Sequence, residues 1–247
     1  MRTNTEGRNA RRMVPRLPGD GGTHTRLATT VTTREAALRE LLVRLARQML
    51  AAGLVTGTSG NLSAREPGSE RVVVTPSGVD YETLLPEDLV AVDLDGRPVG
   101  PGLVPSVDAP SHIAIYRARP EVTGVVHTHS PHATAFAVVG EPIPPLLLEA
   151  AGFLGGAVGL VDPLPPGSPE AAARLVAALV GQRAVLLPNH GVVAIGESPA
   201  KAFHAAVAVE DGARVAWLAR QLGQVRQIPE ADIAWMNDFI HHRYGQR

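Results

Sequence analysis

The 247-residue chain has no cysteine and a single lysine, Lys201. Without cysteine there is no disulfide framework, no thiolate nucleophile and no thiolate-held zinc or iron–sulfur site. Lys201 is the one candidate for Schiff-base chemistry. It follows Glu197-Ser198-Pro199-Ala200, the pattern of an exposed helix start, which argues against that role. A surplus of either charge is also missing. The net charge of −1 lacks the basic excess of a nucleic-acid binder. No apolar run reaches the roughly 18 residues needed to cross a bilayer. These absences point to a soluble, cytoplasmic protein that acts on a small molecule, with no nucleic-acid or membrane partner. Histidine, present nine times, is left for catalysis, with carboxylates, hydroxyls and a metal.

Residues 1–30 carry Arg2, Arg8, Arg11, Arg12, Arg16 and Arg26 against Glu6 and Asp20. They show no apolar period and read as a disordered, arginine-rich extension. Residues 31–247 read as a single domain, since 45% hydrophobic residues suffice for one substantial core. Leu38, Leu41, Leu45 and Met49 recur at helical spacing ahead of Gly53. Arg71–Thr75, Leu89–Leu94, Thr123–Thr128, Ala184–Leu187 and Val192–Ile195 read as strands. Helices are expected over Asp108–Arg117, Pro131–Val138, Ser168–Val180 and Ser198–Leu222, with a last one after Pro229. In the long helix Ala206, Val209, Ala213 and Trp217 form one stripe. Helices and strands interleave, yet many connections are too short for βαβ crossovers. The expectation is an α/β fold with a mixed, mostly antiparallel sheet covered by helices. No G-x-G-x-x-G motif follows a strand, so a dinucleotide site is unsupported.

The chemistry concentrates at Val126-His127-Thr128-His129. Residues two apart on a strand share a face, so both imidazoles can reach one ion. His190, at the break between two apolar runs (Leu-Leu-Pro-Asn-His-Gly-Val), and Asp108, at a helix start, are further ligand candidates. A hydrogen-bonded histidine pair, a turn residue and an N-cap are the plain alternatives for these positions. Their coincidence favours a metal. Three neutral imidazoles and a carboxylate would leave a divalent ion with a net charge of about +1. His112 shares a helix face with Asp108, and His132 follows the His-x-His run by three. Both are placed around the ion rather than on it. Gly57-Thr58-Ser59-Gly60-Asn61 and Thr75-Pro76-Ser77-Gly78 offer backbone N–H groups and hydroxyls suited to an anion, although taken alone they read as ordinary turns.

Together with Pro105-Ser106-Val107-Asp108, Asn189-His190-Gly191 and the long helix that follows, these motifs resemble the class II aldolase/adducin family, in order, over about residues 33–246. The resemblance implies a three-layer α/β/α sandwich and a homotetramer with active sites between subunits. It implies a divalent metal, zinc foremost, with manganese, cobalt or iron as others, on His127, His129 and His190. Asp108 takes the family's acidic position, as ligand and proton carrier. Asn61, Ser77, Gly78 and Ser106 take the positions that bind a substrate phosphate. Tyr244 is the C-terminal tyrosine that completes a neighbouring subunit's site. The implied activity is carbon–carbon lyase chemistry, an aldolase acting on a sugar phosphate or related hydroxy-carbonyl compound through a metal-stabilised enediolate. Metal-dependent decarboxylation of a hydroxy-aromatic or keto acid is the alternative. Epimerisation, iron oxygenation and an adducin-like scaffold rank lower. Three departures stand out. Gly152 lies where the family's 4-epimerase has a catalytic aspartate, and Val107 lies where the aldolases have a second serine. Residues 144–156 match neither enzyme, and Glu149 within them is placed beside the site.

Overall fold

A computed structural model describes residues 32–162 and 168–245. The arginine-rich extension lies outside the described residues. The first helix, α1 (Thr33–Ala51), starts where the Thr32 side chain accepts the Glu35 N–H at 3.0 Å. It buries Leu42, Leu45, Ala46 and Met49. There follow β1 (Asn61–Arg65), β2 (Val72–Val74), β3 (Val90–Val92), α2 (Ala109–Ala118) and β4 (Gly124–Thr128). The second half holds α3 (Pro131–Val139), α4 (Leu148–Leu154), α5 (Pro169–Ala178), β5 (Ala184–Leu187), β6 (Gly191–Gly196), α6 (Pro199–Leu222) and α7 (Glu230–His242).

The six strands form one sheet in the order β3-β2-β1-β4-β6-β5, and every neighbouring pair is antiparallel. Each strand alternates its side chains between two cores. Leu62, Val126, Ala184 and Ala194 pack with α1, α3 and α6 on one face. Val74, Val125, Val185 and Ile195 pack with α2 and α5 on the other. The result is the expected three-layer α/β/α sandwich, and burial of both sheet faces explains why the strands read as continuous apolar runs.

Most of these elements lie within a few residues of where the sequence pattern places them, whereas β1 and α4 have no counterpart there. In β1, Asn61, Ser63 and Arg65 alternate with Leu62 and Ala64, and all five are buried. Polar residues that face inward do not look like a core strand until their partners are known. Trp217 also departs from the expected stripe. Ala206, Val209 and Ala213 are fully buried, whereas Trp217 is half exposed and lies 5.9 Å from the His132 ring. Lys201 sits in the first turn of α6, and its ammonium pairs with Glu197 at 3.6 Å, away from the histidines discussed below. Among the described residues no helix is long and apolar enough to cross a membrane.

Candidate metal centre

Register brings the first two groups together. Asn61 pairs with His127 across β1 and β4, so both project from the sheet face that α2 covers, and Ser63 and Val125 do the same one step along. His129 lies just past the end of β4, where its N–H donates to the Leu54 carbonyl at 3.1 Å. It therefore reaches the cluster from a loop and not, as the spacing argument assumed, from the strand. His190 occupies the turn between β5 and β6, after Asn189, whose φ of 54° is left-handed, a conformation asparagine tolerates better than most residues.

Two glycines make this approach possible. A Cβ on Gly191 would sit 2.1 Å from the Thr128 carbonyl oxygen. One on Gly60, where φ is +69°, would sit 2.7 Å from the His127 carbonyl oxygen. Only the absent side chain lets the turns press against the end of β4.

The three imidazoles converge on one point. His127 Nε2 is 2.9 Å from His129 Nε2 and 3.3 Å from His190 Nε2, and their ligand atoms all lie within 4.8 Å of one another. Zinc–nitrogen bonds of about 2.0–2.1 Å in a tetrahedron require nitrogen–nitrogen separations of about 3.3 Å. Burial pushes the His127 imidazole down to about 3, Asp108 opposing and the neighbouring histidines assisting. His129 is lowered too, chiefly by burial and then by His190. His127 Nδ1 donates to the Val192 carbonyl at 2.9 Å, which fixes the tautomer and turns the Nε2 lone pair toward the other two rings. Neutral nitrogens that converge at close to the spacing of a tetrahedral site could hold one divalent metal.

Asp108 sits beside this set rather than within it. One carboxylate oxygen lies 3.9 Å from His127 Nε2 and accepts the Asn61 side-chain N–H at 2.6 Å. Asp108 makes no side-chain bond to its own helix, so the plain N-cap reading of it does not hold. Asn61, expected at a phosphate, is thus a partner of Asp108. The Thr75–Gly78 turn meets the Pro105–Asp108 segment through a bridge between Pro76 and Pro105. Ser77 N donates to Val104 O at 2.9 Å and Ser106 N to Thr75 O at 3.0 Å. Ser106 Oγ accepts the Asp108 N–H at 3.3 Å. Ser106 therefore stands on the segment that carries Asp108, and the turn of Ser77 and Gly78 is bonded to it. Val107 is exposed, and with Asp108, His112, His127 and His190 it lines a cavity of about 560 Å³.

The other expected residues are dispersed. His112 is buried behind Asp108, its Nδ1 2.8 Å from Ser63 Oγ. Burial lowers its pKa to about 4, against Asp108. His132 Nδ1 donates to Glu210 at 2.7 Å. Glu149 is exposed on α4, and Tyr244 is 72% exposed beyond α7; neither lines the cavity. Glu210 and Ser63 were not foreseen. The Glu210 carboxylate accepts the His132 and Ala133 N–H groups at 3.1 and 2.9 Å, in effect capping α3 from α6. An acid beside the apolar stripe of a long helix was its only trace in the sequence.

Residues 40–217 match the family model described as the class II aldolase and adducin N-terminal domain. The L-ribulose-5-phosphate 4-epimerase UlaF of Salmonella paratyphi C (strain RKS4594) is 37% identical over 204 residues, covering 78% of this chain and 89% of that protein. A solved structure of an L-fuculose 1-phosphate aldolase superposes with a TM-score of 0.79 at 28% identity, covering 83% of this chain and 96% of that one. The L-fuculose-1-phosphate aldolase of Thermus thermophilus superposes with a TM-score of 0.65 at 31% identity, covering 75% and 96%. The match spans most of the described chain, and the chain belongs to the class II aldolase and adducin family.

Proposed function

We propose that this protein is a metal-dependent carbon–carbon lyase that cleaves a phosphorylated hydroxy-carbonyl compound in the manner of an aldolase. The observation that carries the reading is the joining of the Ser77 turn to the Ser106 segment, which sets Asp108 beside the three-histidine cluster. A divalent metal, zinc by its preference for this donor set, supplies a Lewis acid for the charge left when a carbon–carbon bond breaks. Ser77, Gly78 and Ser106 hold the phosphate. Asp108, kept in place by Asn61, takes the proton of the hydroxyl on the cleaving carbon. Tyr244 does not line the cavity of its own chain. It acts on a neighbouring subunit of a homotetramer.

The 37% identity to a 4-epimerase favours a second reading, in which the aldehyde is retained, rotated and re-added. Against it, a Cβ at Gly152 would sit 2.5 Å from Met236 Cγ, so an acid in the epimerase's position does not fit here. Assays of the zinc-loaded protein with L-fuculose 1-phosphate and L-ribulose 5-phosphate separate the readings. Aldehyde release is expected. Inversion at C4 without release would establish the epimerase, and carbon dioxide release from hydroxy-aromatic or keto acids would establish the decarboxylase. Silence on all three would overturn the enzyme assignment.

A further inference from the structure

Behind the metal cluster runs a buried chain of polar side chains that the proposed reaction does not use. Tyr116 Oη lies 2.9 Å from Ser63 Oγ, which lies 2.8 Å from His112 Nδ1. Tyr116, Ser63 and His112 are at most 1% exposed. His112 Nε2 is buried and has no partner among the described residues. His112 also borders the cavity lined by Asp108, His127 and His190.

Counting hydrogens orients this chain. Burial raises the Tyr116 phenol well above its usual range, so it keeps its proton. If Tyr116 donates to Ser63 and Ser63 donates to His112 Nδ1, every hydrogen finds an acceptor except the one on Nε2. In the reverse order Tyr116 would have a buried O–H with no acceptor and Nε2 a buried lone pair with no donor. The first order leaves one group unsatisfied instead of two. His112, which borders the cavity, therefore carries its ring hydrogen on a buried Nε2 that has no acceptor among the described residues. The buried Oδ1 of Asn61, whose amide N–H donates to Asp108, is likewise unpartnered among the described residues. Two buried side chains thus keep hydrogen-bonding capacity unspent around one carboxylate.

We propose that His112 contacts the substrate, donating its Nε2–H to a substrate oxygen held at the metal site, beside Asp108. This rests on the reading of the site as one for a hydroxy-carbonyl compound and makes His112 a catalytic residue rather than a packing one. Ser63 and Tyr116 are positioning residues that hold its tautomer.

Two measurements test this without turnover. In the metal-free protein labelled with ¹⁵N-histidine, the His112 ring is expected to show the Nε2–H pattern, and an Nδ1–H pattern would overturn the assignment. In the zinc-loaded protein, acetohydroxamate serves as a chelating stand-in for the substrate oxygens. At equal zinc content, His112→Asn, which keeps only the Ser63 bond, is expected to bind it about tenfold more weakly. His112→Gln, which restores a donor near the Nε2 position, is expected to stay within about threefold of the parent. Equal affinity in parent and His112→Asn would overturn the proposal. If the parent cleaves no sugar phosphate while the hydroxamate contrast holds, the aldolase reading falls and the role of His112 stands.

Discussion

Among single residues, His127 is suited to be a metal ligand by two separate causes. Burial strips its charge, and the Val192 carbonyl fixes which nitrogen carries the proton. Replacing His127 or His190 with alanine removes one of three converging nitrogens. Metal affinity should fall by more than the roughly 10–100-fold that loss of a supporting partner costs. Stoichiometric zinc retained in both variants, measured by atomic absorption, would reject the ligand set. His112 and His127 also make the metal-free protein acid-sensitive. Their folded-state pKa values of about 4 and about 3 lie below the ordinary 6.5. The unfolded chain therefore takes up protons first as pH falls. The stability in question is fully present above pH 6.5 and is lost as pH drops toward 4 and then 3. Two such groups give a slope of about 2.7 kcal/mol per pH unit between roughly pH 6 and 4, and His112→Asn should halve it. Urea titrations across that range measure the slope, and an unchanged slope in the variant would contradict the burial of a neutral imidazole. The identities of these residues were legible in the sequence. Their partners were not, because Ser63 and Val192 lie 49 and 65 residues from the histidines they touch.

At the next scale, that of elements, the end of β4 and the start of α3 behave as one unit. Ser130 makes no side-chain cap bond; Glu210, reaching across from α6, accepts the N–H groups of His132 and Ala133 instead. Glu210→Ala should destabilise the fold by about 1–2 kcal/mol, as losing a helix cap does, and weaken metal binding by loosening the segment that carries His129. Chemical denaturation and metal titration read the two effects, and an unaffected metal affinity would detach α3 from the site. Gly191→Ala is expected to cost about 1–3 kcal/mol through overpacking, because its Cβ would collide with the Thr128 carbonyl. Apolar period and cap residues announced α1, α3, α5 and α6. β1 stayed hidden because its polar face is buried against polar partners on α2, a pairing local pattern cannot register.

Across the molecule as a whole, the three-histidine cluster lies at one end of the sheet, while a knot of ion pairs closes the other. Arg183, just before β5, holds Glu197, just after β6, at 2.6 Å and also donates to His241 on α7 at 2.6 Å. The Arg183 guanidinium holds the Glu197 carboxyl down to about 2. A depressed carboxylate contributes stability above its ordinary value of 4.5, and that contribution is lost as pH falls toward 2. Glu197→Gln should lower the melting temperature modestly at pH 7, since water reaches the pair. The gap should close in acid, and a gap independent of pH would assign the effect to packing. Composition and motif alone set the chemistry available: no thiol, no usable lysine, a His-x-His run, a third histidine in a turn and an acid at a helix start. They also set the alternation of helix and strand, because periodicity is a local property of the chain. It took the folded arrangement to stand Asp108 beside the three nitrogens in the grip of Asn61, to bring His129 in from a loop, and to turn His132 toward α6 rather than the histidine cluster. Those outcomes depend on strand register and on contacts between segments far apart in the chain, where burial, hydrogen-bond geometry and the space a glycine leaves outweigh local pattern.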